Sequence, residues 1–263
     1  MQCINNNRKN IPLVTKKECN CVNPIVKEKS FNEDIELDYD KLGHVYRFHE
    51  QALDSVTSYL KQYYKPFELE IIAKTCGRAW EVDPQSIIDI WDSNKEGSAL
   101  FGTSIHDTLE HYEKFQKIGA LISQKRGAEE NYALPKHPVL RQIVKDFIAI
   151  NPIKGDIMTE VLITDIQNGL AGRCDRIVII DKEKKICRIG DYKINIESEL
   201  IDKKYKVLAP FDYLPANKIT KYQIQMSLYA NMLQKQGWVV EGLDVYVYEG
   251  EWKYFPLEVL KVI

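Results

Sequence analysis

Charged residues interrupt two apolar stretches in the second half of the chain, where together they could do chemistry. Asp175 stands in the stretch GRCDRIV, and Asp191 and Lys193 stand in the stretch IGDYKI. Because side chains two residues apart on a strand point to the same face, Asp191 and Lys193 would project together. If the two stretches pair as a hairpin around residues 181–185, Asp175 lies beside Asp191.

Two carboxylates held that close repel each other unless a hard divalent cation such as Mg²⁺ or Mn²⁺ lies between them. Lys193 would then orient or deprotonate a water molecule, or stabilise the charge that builds on a phosphate. This set of groups is what hydrolysis of a phosphodiester needs. A buried Asp–Lys ion pair with no part in catalysis is the alternative that the same residues leave open.

Asp175, followed on the next strand by Asp191-Tyr192-Lys193, resembles the signature of the PD-(D/E)XK nucleases. Two further segments occur in that family's order. Residues 102–110, GTSIHDTLE, resemble the GTxxHxxLE segment of the RecB-like branch, and residues 222–229, YQIQMSLY, resemble its YxxQxxxY helix. The three segments together cover about residues 100–235.

The resemblance implies a role for each matched residue. The implied metal ligands for Mg²⁺ or Mn²⁺ are His106, Asp175, Asp191 and the backbone carbonyl of Tyr192. The implied catalytic residues are Lys193, Asp191, Asp175, Glu160 and Gln225. Tyr222 and Tyr229 would contact substrate. Simpler roles stay open, because a histidine, glutamine or tyrosine on an amphipathic helix often only packs or faces solvent.

An amino-terminal segment, DSVTSY at residues 54–59, is similar to the S-x-T helix start that follows a strand pair in phage-encoded members. Ser55 and Thr57 would bind substrate by contacting a DNA phosphate. The alternative is that they only cap the helix.

Two features of some relatives are missing from this sequence. Some CRISPR-associated and helicase-linked members carry an iron–sulfur cluster with three cysteine ligands near the carboxyl end, and no cysteine follows Cys187 here. We therefore expect no iron–sulfur cluster and free thiols throughout. There is also no GxxxxGK[ST] segment, so any helicase motor would be another protein.

The hydrophobic periodicity predicts the elements that position these residues. The predicted helices cover about residues 54–63, 68–80, 84–92, 102–115, 138–149 and 220–234. The predicted strands cover residues 44–48, 160–164, 172–180, 186–194, 240–248 and 252–259. These elements favour an α/β fold of the PD-(D/E)XK (restriction-endonuclease-like) class, with a mixed central sheet flanked by helices and an N-terminal helical region.

We expect residues 1–30 to be a flexible arm and residues 31–263 to be one nuclease domain. Within that domain, residues 31–100 would be a helical, DNA-binding part and residues 101–263 the catalytic core. The net charge of −2 argues against a protein that coats nucleic acid over its whole surface. Eight lysines late in the chain would either form a local basic groove or simply face solvent: Lys182, Lys184, Lys185, Lys203, Lys204, Lys206, Lys218 and Lys221.

The apolar runs are too short to span a bilayer, and the polar amino terminus lacks the features of a secretory signal. We expect a cytoplasmic location, in the host cytoplasm if the protein is phage-encoded, and no membrane partner. The expected activity is that of an exonuclease on single- or double-stranded DNA ends, in recombination, repair or replication, with a recombination or replication protein as a further partner. The alternatives are an endonuclease of the same fold, a catalytically silent DNA-binding accessory protein, and a small-molecule metal hydrolase, which would need a compact apolar pocket.

Overall fold

The structure is a computed structural model that describes residues 25–40, 43, 45–194 and 206–263. It has a mixed α/β architecture, with a central mixed sheet flanked by helices, as the sequence predicted. Over the described residues the strands are β1 (Ile25–Lys29), β2 (Glu36–Asp40), β3 (Val45–Phe48), β4 (Gln51–Ser55), β5 (Asp156–Asp165), β6 (Leu170–Asp181), β7 (Ile186–Ile194), β8 (Val239–Tyr248) and β9 (Trp252–Leu257).

The strands follow the order β1-β2-β3-β4-β6-β7-β8-β9, and β5 pairs with β6 outside that path. The β4–β6 and β7–β8 pairs are parallel, and the other pairs are antiparallel. Strands β5, β6 and β7 form an antiparallel meander joined by short turns. This meander carries Asp175 and Asp191.

The helices are α1 (Val56–Tyr59), which continues as a 3₁₀ turn over Leu60–Tyr63, α2 (Leu69–Trp80), α3 (Pro84–Arg126), α4 (Pro138–Ile150) and α5 (Lys218–Lys235). Two apolar clusters hold them against the sheet. Ile224 and Leu228 of α5 pack with Ile189 and Val245 in one cluster. Ile105 of α3 and the α4 residue Phe147 pack with Tyr192 and Tyr246 in the other. No helix of the described residues has both the length and the apolar character to cross a membrane.

The structure corrects the sequence prediction for helix α3. Separate helices were expected over residues 84–92 and from residue 102, but residues 84–126 form one helix of 43 residues. The Asp83 carboxylate caps its first turn by accepting from Ser86 N at 3.0 Å. Gly102, where a new helix was expected to begin, lies inside this helix, because a glycine costs only about 1 kcal/mol there and the neighbouring turns can tolerate that cost.

The amino-terminal region contains more strand than was expected. Ile25–Lys29, assigned to the flexible arm, pairs with β2 as strand β1, while residues 1–24 lie outside the described part of the chain. Residues 31–100, expected to be mainly helical, also contain β2, β3 and β4 ahead of the helices. These short strands are stabilised by pairing with one another and by the stacked rings of Tyr39 and Tyr46, whose centroids are 4.8 Å apart. A pattern of five residues or fewer carries little of that information.

Candidate metal centre

The β6–β7 hairpin brings Asp175 and Asp191 side by side. Arg176 pairs with Gly190 and Ile177 with Ile189, so the same register sets Asp175 level with Asp191. The turn forms because Asp181 Oδ1 accepts a hydrogen bond from Lys184 N at 3.0 Å. This is the pairing that the sequence predicted.

Helix α3 brings His106 to the two aspartates. The neighbouring Ile105 and the side chain one turn later, Leu109, are fully buried and fix this face of the helix against the sheet. His106 Nδ1 lies 3.4 Å from Asp175 Oδ2, and His106 Nε2 lies 2.6 Å from the Tyr192 carbonyl oxygen. Burial and the nearby Lys193 ammonium lower the pKa of His106, which favours the neutral, ligand-competent imidazole.

His106, Asp175 and Asp191 form a cluster that could hold a metal ion. Each offers one ligand atom, and these atoms all lie within 4.8 Å of one another. Asp175 Oδ2 is buried and accepts no hydrogen bond from any described residue, and such an orphaned oxygen is rare in a folded protein. Burial and the charge of Asp175 raise the pKa of Asp191 to about 7. The donor set therefore fits a cation that would neutralise this pair of carboxylates.

Lys193 stands on the same strand face as Asp191. Its Nζ donates to Asp191 Oδ1 at 2.5 Å, lies 3.9 Å from Asp175 Oδ2, and sits 5.0 Å from the centroid of the Tyr222 ring. Burial disfavours the ammonium, but the charges of Asp191 and Asp175 outweigh burial and raise the pKa of Lys193. A positive charge is thus held beside the two carboxylates, and Tyr222 contacts that charge.

Glu160 of β5 lies beside the cluster without belonging to it. Its neighbours Thr159 and Val161 pair with Arg176 and Cys174, so Glu160 stands at the level of Asp175. Its backbone φ is 52°, in the left-handed region that is strained for a non-glycine residue. The Glu160 carbonyl accepts from Arg173 Nη1 at 3.1 Å, which holds this conformation. Burial and the nearby Glu110 raise the pKa of Glu160.

A cavity of about 670 Å³ contains most of the other residues expected from the sequence. Its lining residues are Tyr39, Tyr46, Ser55, Val56, Thr57, Asp107, Glu110, Glu160, Gly172, Arg173, Gln225 and Tyr229. Ser55, Thr57, Gln225 and Tyr229 thus share one cavity with Glu160. The lining combines the aromatic rings of Tyr39, Tyr46 and Tyr229 with acidic and other polar side chains.

The hydrogen bonds of these lining residues show which side chains have a structural partner and which present a polar group to the cavity. Ser55 caps α1, because its Oγ accepts from Ser58 N at 3.1 Å, as the capping alternative predicted. Thr57 Oγ1 lies 3.4 Å from Ser55 Oγ. The largely buried Tyr229 donates from its hydroxyl to the Arg173 carbonyl at 2.7 Å and also bonds to Gln225. Tyr229 therefore packs, whereas Thr57 and Gln225 keep polar groups on the cavity.

The expected basic groove is only partly described. Lys182, Lys184 and Lys185 lie at the β6–β7 turn, seven or more residues from Asp175, which is about 23 Å along a strand. Lys203 and Lys204 lie outside the described residues. None of the described lysines lines the cavity, where Asp107, Glu110 and Glu160 outnumber Arg173. The cavity wall thus suits a cation more than a naked phosphate.

Sequence reasoning missed a buried charged group behind the cluster. Arg176 is 0% exposed, and its Nε donates to Glu113 Oε1 at 2.9 Å and to Glu113 Oε2 at 3.0 Å. The Tyr192 hydroxyl donates to Glu113 Oε2 at 2.5 Å. A signal was present, because Arg176 stands in an apolar strand and Glu113 shares a helix face with Leu109.

Comparison with known proteins gives no match for this chain: no family model, no curated protein and no solved structure is similar to it. What the chain does must therefore be argued from its own residues and their geometry. Those residues form a mixed α/β domain with a candidate metal centre at the β6–β7 hairpin.

Proposed function

We propose that this protein is a Mg²⁺- or Mn²⁺-dependent deoxyribonuclease of the PD-(D/E)XK type that hydrolyses phosphodiester bonds at DNA ends. One observation carries the proposal: His106, Asp175, Asp191, Lys193 and the Tyr192 carbonyl converge at one end of the β6–β7 hairpin. A structural ion pair would need only Lys193 and one aspartate, and it would not need a histidine and a second buried carboxylate beside them.

The ligand atoms suggest which ion is bound. Carboxylate and carbonyl oxygens with one imidazole are suited to Mg²⁺ or Mn²⁺, and the site has no thiolate to favour a softer metal. When bound, such an ion polarises a phosphoryl oxygen and lowers the pKa of a coordinated water.

The chain's own groups would do the rest of the work. Asp175, Asp191, His106 and the Tyr192 carbonyl would hold the ion, and the Lys193 ammonium would orient the attacking water or donate to the phosphoryl oxygen that gains charge. A new P–O bond forms from the water oxygen as the bond to the leaving sugar oxygen breaks. Glu160 and Gln225, on the adjacent cavity wall, would position the substrate strand and its water.

The cavity next to the metal centre supports action at an end. Its volume of about 670 Å³ lies in the range of pockets for small ligands, about 300–1,000 Å³, and is far too small for a length of duplex. Thr57 on its wall carries a hydroxyl that can bind a phosphate or sugar oxygen, and a bound metal ion would offset the acidic side chains there. A terminal nucleotide fits a cavity of this volume.

The test is digestion of end-labelled linear DNA and closed circular DNA with Mg²⁺, Mn²⁺ or EDTA, by the wild type and by Lys193→Ala. We expect only linear DNA to be degraded, in a reaction that requires both the metal and Lys193. Cutting of circles would replace the exonuclease with an endonuclease. No cleavage of any DNA in the presence of either metal would overturn the proposal in favour of a silent DNA-binding protein.

A further inference from the structure

The residues that directly follow Asp175 and Asp191 both donate a hydrogen bond to one side chain, that of Glu113. Arg176 follows Asp175 and Tyr192 follows Asp191, and both turn away from the metal centre toward α3. There Glu113 accepts from Arg176 Nε at 2.9 Å and from the Tyr192 hydroxyl at 2.5 Å. One carboxylate thus joins two neighbouring strands directly behind Asp175 and Asp191.

Helix α3 contacts Tyr192 at both ends of that residue. Glu113 binds its hydroxyl, and His106, seven residues or about two helical turns earlier, lies against its backbone carbonyl at 2.6 Å. The His106 and Tyr192 rings also meet edge to face, with centroids 5.6 Å apart. A shift of Tyr192 relative to α3 would therefore move a ligand carbonyl and the two residues on either side of it.

The burial of this group shows that it has little freedom. Glu113 is 5% exposed and Arg176 is 0% exposed, in an aromatic cluster that includes Phe147 and Tyr246. The Arg176 guanidinium carbon lies 6.0 Å from the Phe147 ring centroid and 5.8 Å from that of Tyr246, while Nη1 and Nη2 have no hydrogen-bond partner among the described residues.

A buried ion pair of this kind is often no more stabilising than apolar side chains of the same volume, because the charges must be desolvated. Unlike apolar packing, the hydrogen bonds of this ion pair require a specific geometry between donors and acceptor. Glu113 can accept from Arg176 and Tyr192 together only when α3 stands at one position against the paired strands β6 and β7.

We propose that Glu113 is a positioning residue for the metal centre, which holds α3, and with it His106, in place against Asp175, Asp191 and the Tyr192 carbonyl by binding Arg176 and Tyr192. This inference rests on the metal centre of the proposed function but not on cleavage of DNA. It assigns Glu113 no contact with the ion or with substrate.

The test compares Mn²⁺ affinity, measured by isothermal titration calorimetry, for the wild type, Tyr192→Phe and Glu113→Gln. Tyr192→Phe removes only the hydroxyl that reaches Glu113 and keeps the ring and the carbonyl, so it remains informative if Glu113→Gln fails to fold. Tyr246→Phe is the matched control, because Tyr246 pairs with Tyr192 across β7 and β8, lies in the same cluster, and donates to Asn151 instead. Loss of a group that orients metal ligands costs about 10-fold to 100-fold in affinity.

We expect Mn²⁺ to bind Tyr192→Phe and Glu113→Gln about 10-fold more weakly than the wild type and Tyr246→Phe. Cleavage by Tyr192→Phe should approach the wild-type rate at saturating Mn²⁺, which a general loss of folding would not allow. Wild-type affinity in both variants, or an equal loss in Tyr246→Phe, would overturn the inference, as would a wild type that binds no Mn²⁺. A wild type that binds Mn²⁺ but cuts no DNA would overturn only the proposed nuclease, and the affinity ratio would still decide the role of Glu113.

Discussion

Lys193 is the residue whose substitution best distinguishes a catalytic role from a structural one. Its ammonium lies within 2.5 Å of one carboxylate and 3.9 Å of another, so it competes with a metal ion for the same charges. We predict that Lys193→Ala lowers the rate of DNA cleavage by about 10²-fold or more without weakening Mn²⁺ binding. Single-turnover cleavage and calorimetric Mn²⁺ titration measure the two effects separately.

Lys235 supplies the control for that experiment. It also makes a lysine–aspartate pair, to Asp165 at 2.7 Å, but it lies at the far end of α5. Lys235→Ala should cleave DNA at the wild-type rate. Equal losses in the two variants would mean that Lys193 acts through stability alone.

The second prediction at this scale concerns Asp191. Its carboxylate is buried beside Asp175 and paired with Lys193, so Asp191→Asn removes both the repulsion from Asp175 and the ion pair with Lys193, together with one metal ligand. Mn²⁺ at 100 times its Kd should stabilise the wild type by about 2.7 kcal/mol and should not stabilise Asp191→Asn. Thermal unfolding with Mn²⁺ and with EDTA measures this, and equal stabilisation of both proteins would place the ion elsewhere.

The sequence alone was enough to identify candidate site residues whose charge is unusual in their surroundings. Asp175, Asp191 and Lys193 stood out because charges are costly in apolar strands, and His106 stood out through the resemblance of its segment. Glu113 could not be assigned, because a glutamate on an amphipathic helix is ordinary until the fold shows that it faces Arg176. Contacts between residues 63 positions apart have no local pattern.

Among the elements, α3 is the one whose continuity most needs a test, because the sequence predicted two separate helices where the structure has one. Gly97 has open space where a Cβ would be, whereas a Cβ at Gly119 would lie 2.7 Å from Ala133 N. We predict that Gly97→Ala raises the unfolding free energy by about 0.5–1 kcal/mol and that Gly119→Ala lowers it. Denaturant unfolding measures both variants, and no gain from Gly97→Ala would favour the two separate helices expected from the sequence.

The short helix α1 gives a matched pair of substitutions. Ser55→Ala removes the cap on Ser58 N and should cost about 1 kcal/mol of unfolding free energy. Thr57→Ala removes an exposed hydroxyl and should stay within about 0.5 kcal/mol of the wild type. Denaturant unfolding checks this, and a larger loss in Thr57→Ala would reverse the structural roles of the two residues.

The helices and strands with the most regular apolar pattern were predicted most accurately. The strand Ile186–Ile194 was predicted with its observed bounds, and the helix Pro138–Ile150 differed by one residue, because each buries a regular set of side chains. Strands β1, β2 and β4 were not predicted. They have five residues each and are stabilised by long-range pairing, which periodicity does not report.

At the scale of the whole molecule, the proposed binding of DNA would have to overcome a net charge of −2. Contacts would therefore be few and local, and each would release counterions. We predict that the affinity of Lys193→Ala for a labelled DNA end, measured by fluorescence anisotropy in EDTA, falls steadily as salt rises from about 50 to about 200 mM. An affinity that does not change with salt would contradict binding through phosphates.

The metal centre is the claim on which the other predictions depend, and anomalous diffraction from crystals soaked in Mn²⁺ tests it most directly. We predict a manganese peak in contact with His106, Asp175, Asp191 and the Tyr192 carbonyl, and no such peak in Asp191→Asn. A wild-type crystal with no manganese at the β6–β7 hairpin, or with manganese bound only at other carboxylates, would contradict the assignment of this site.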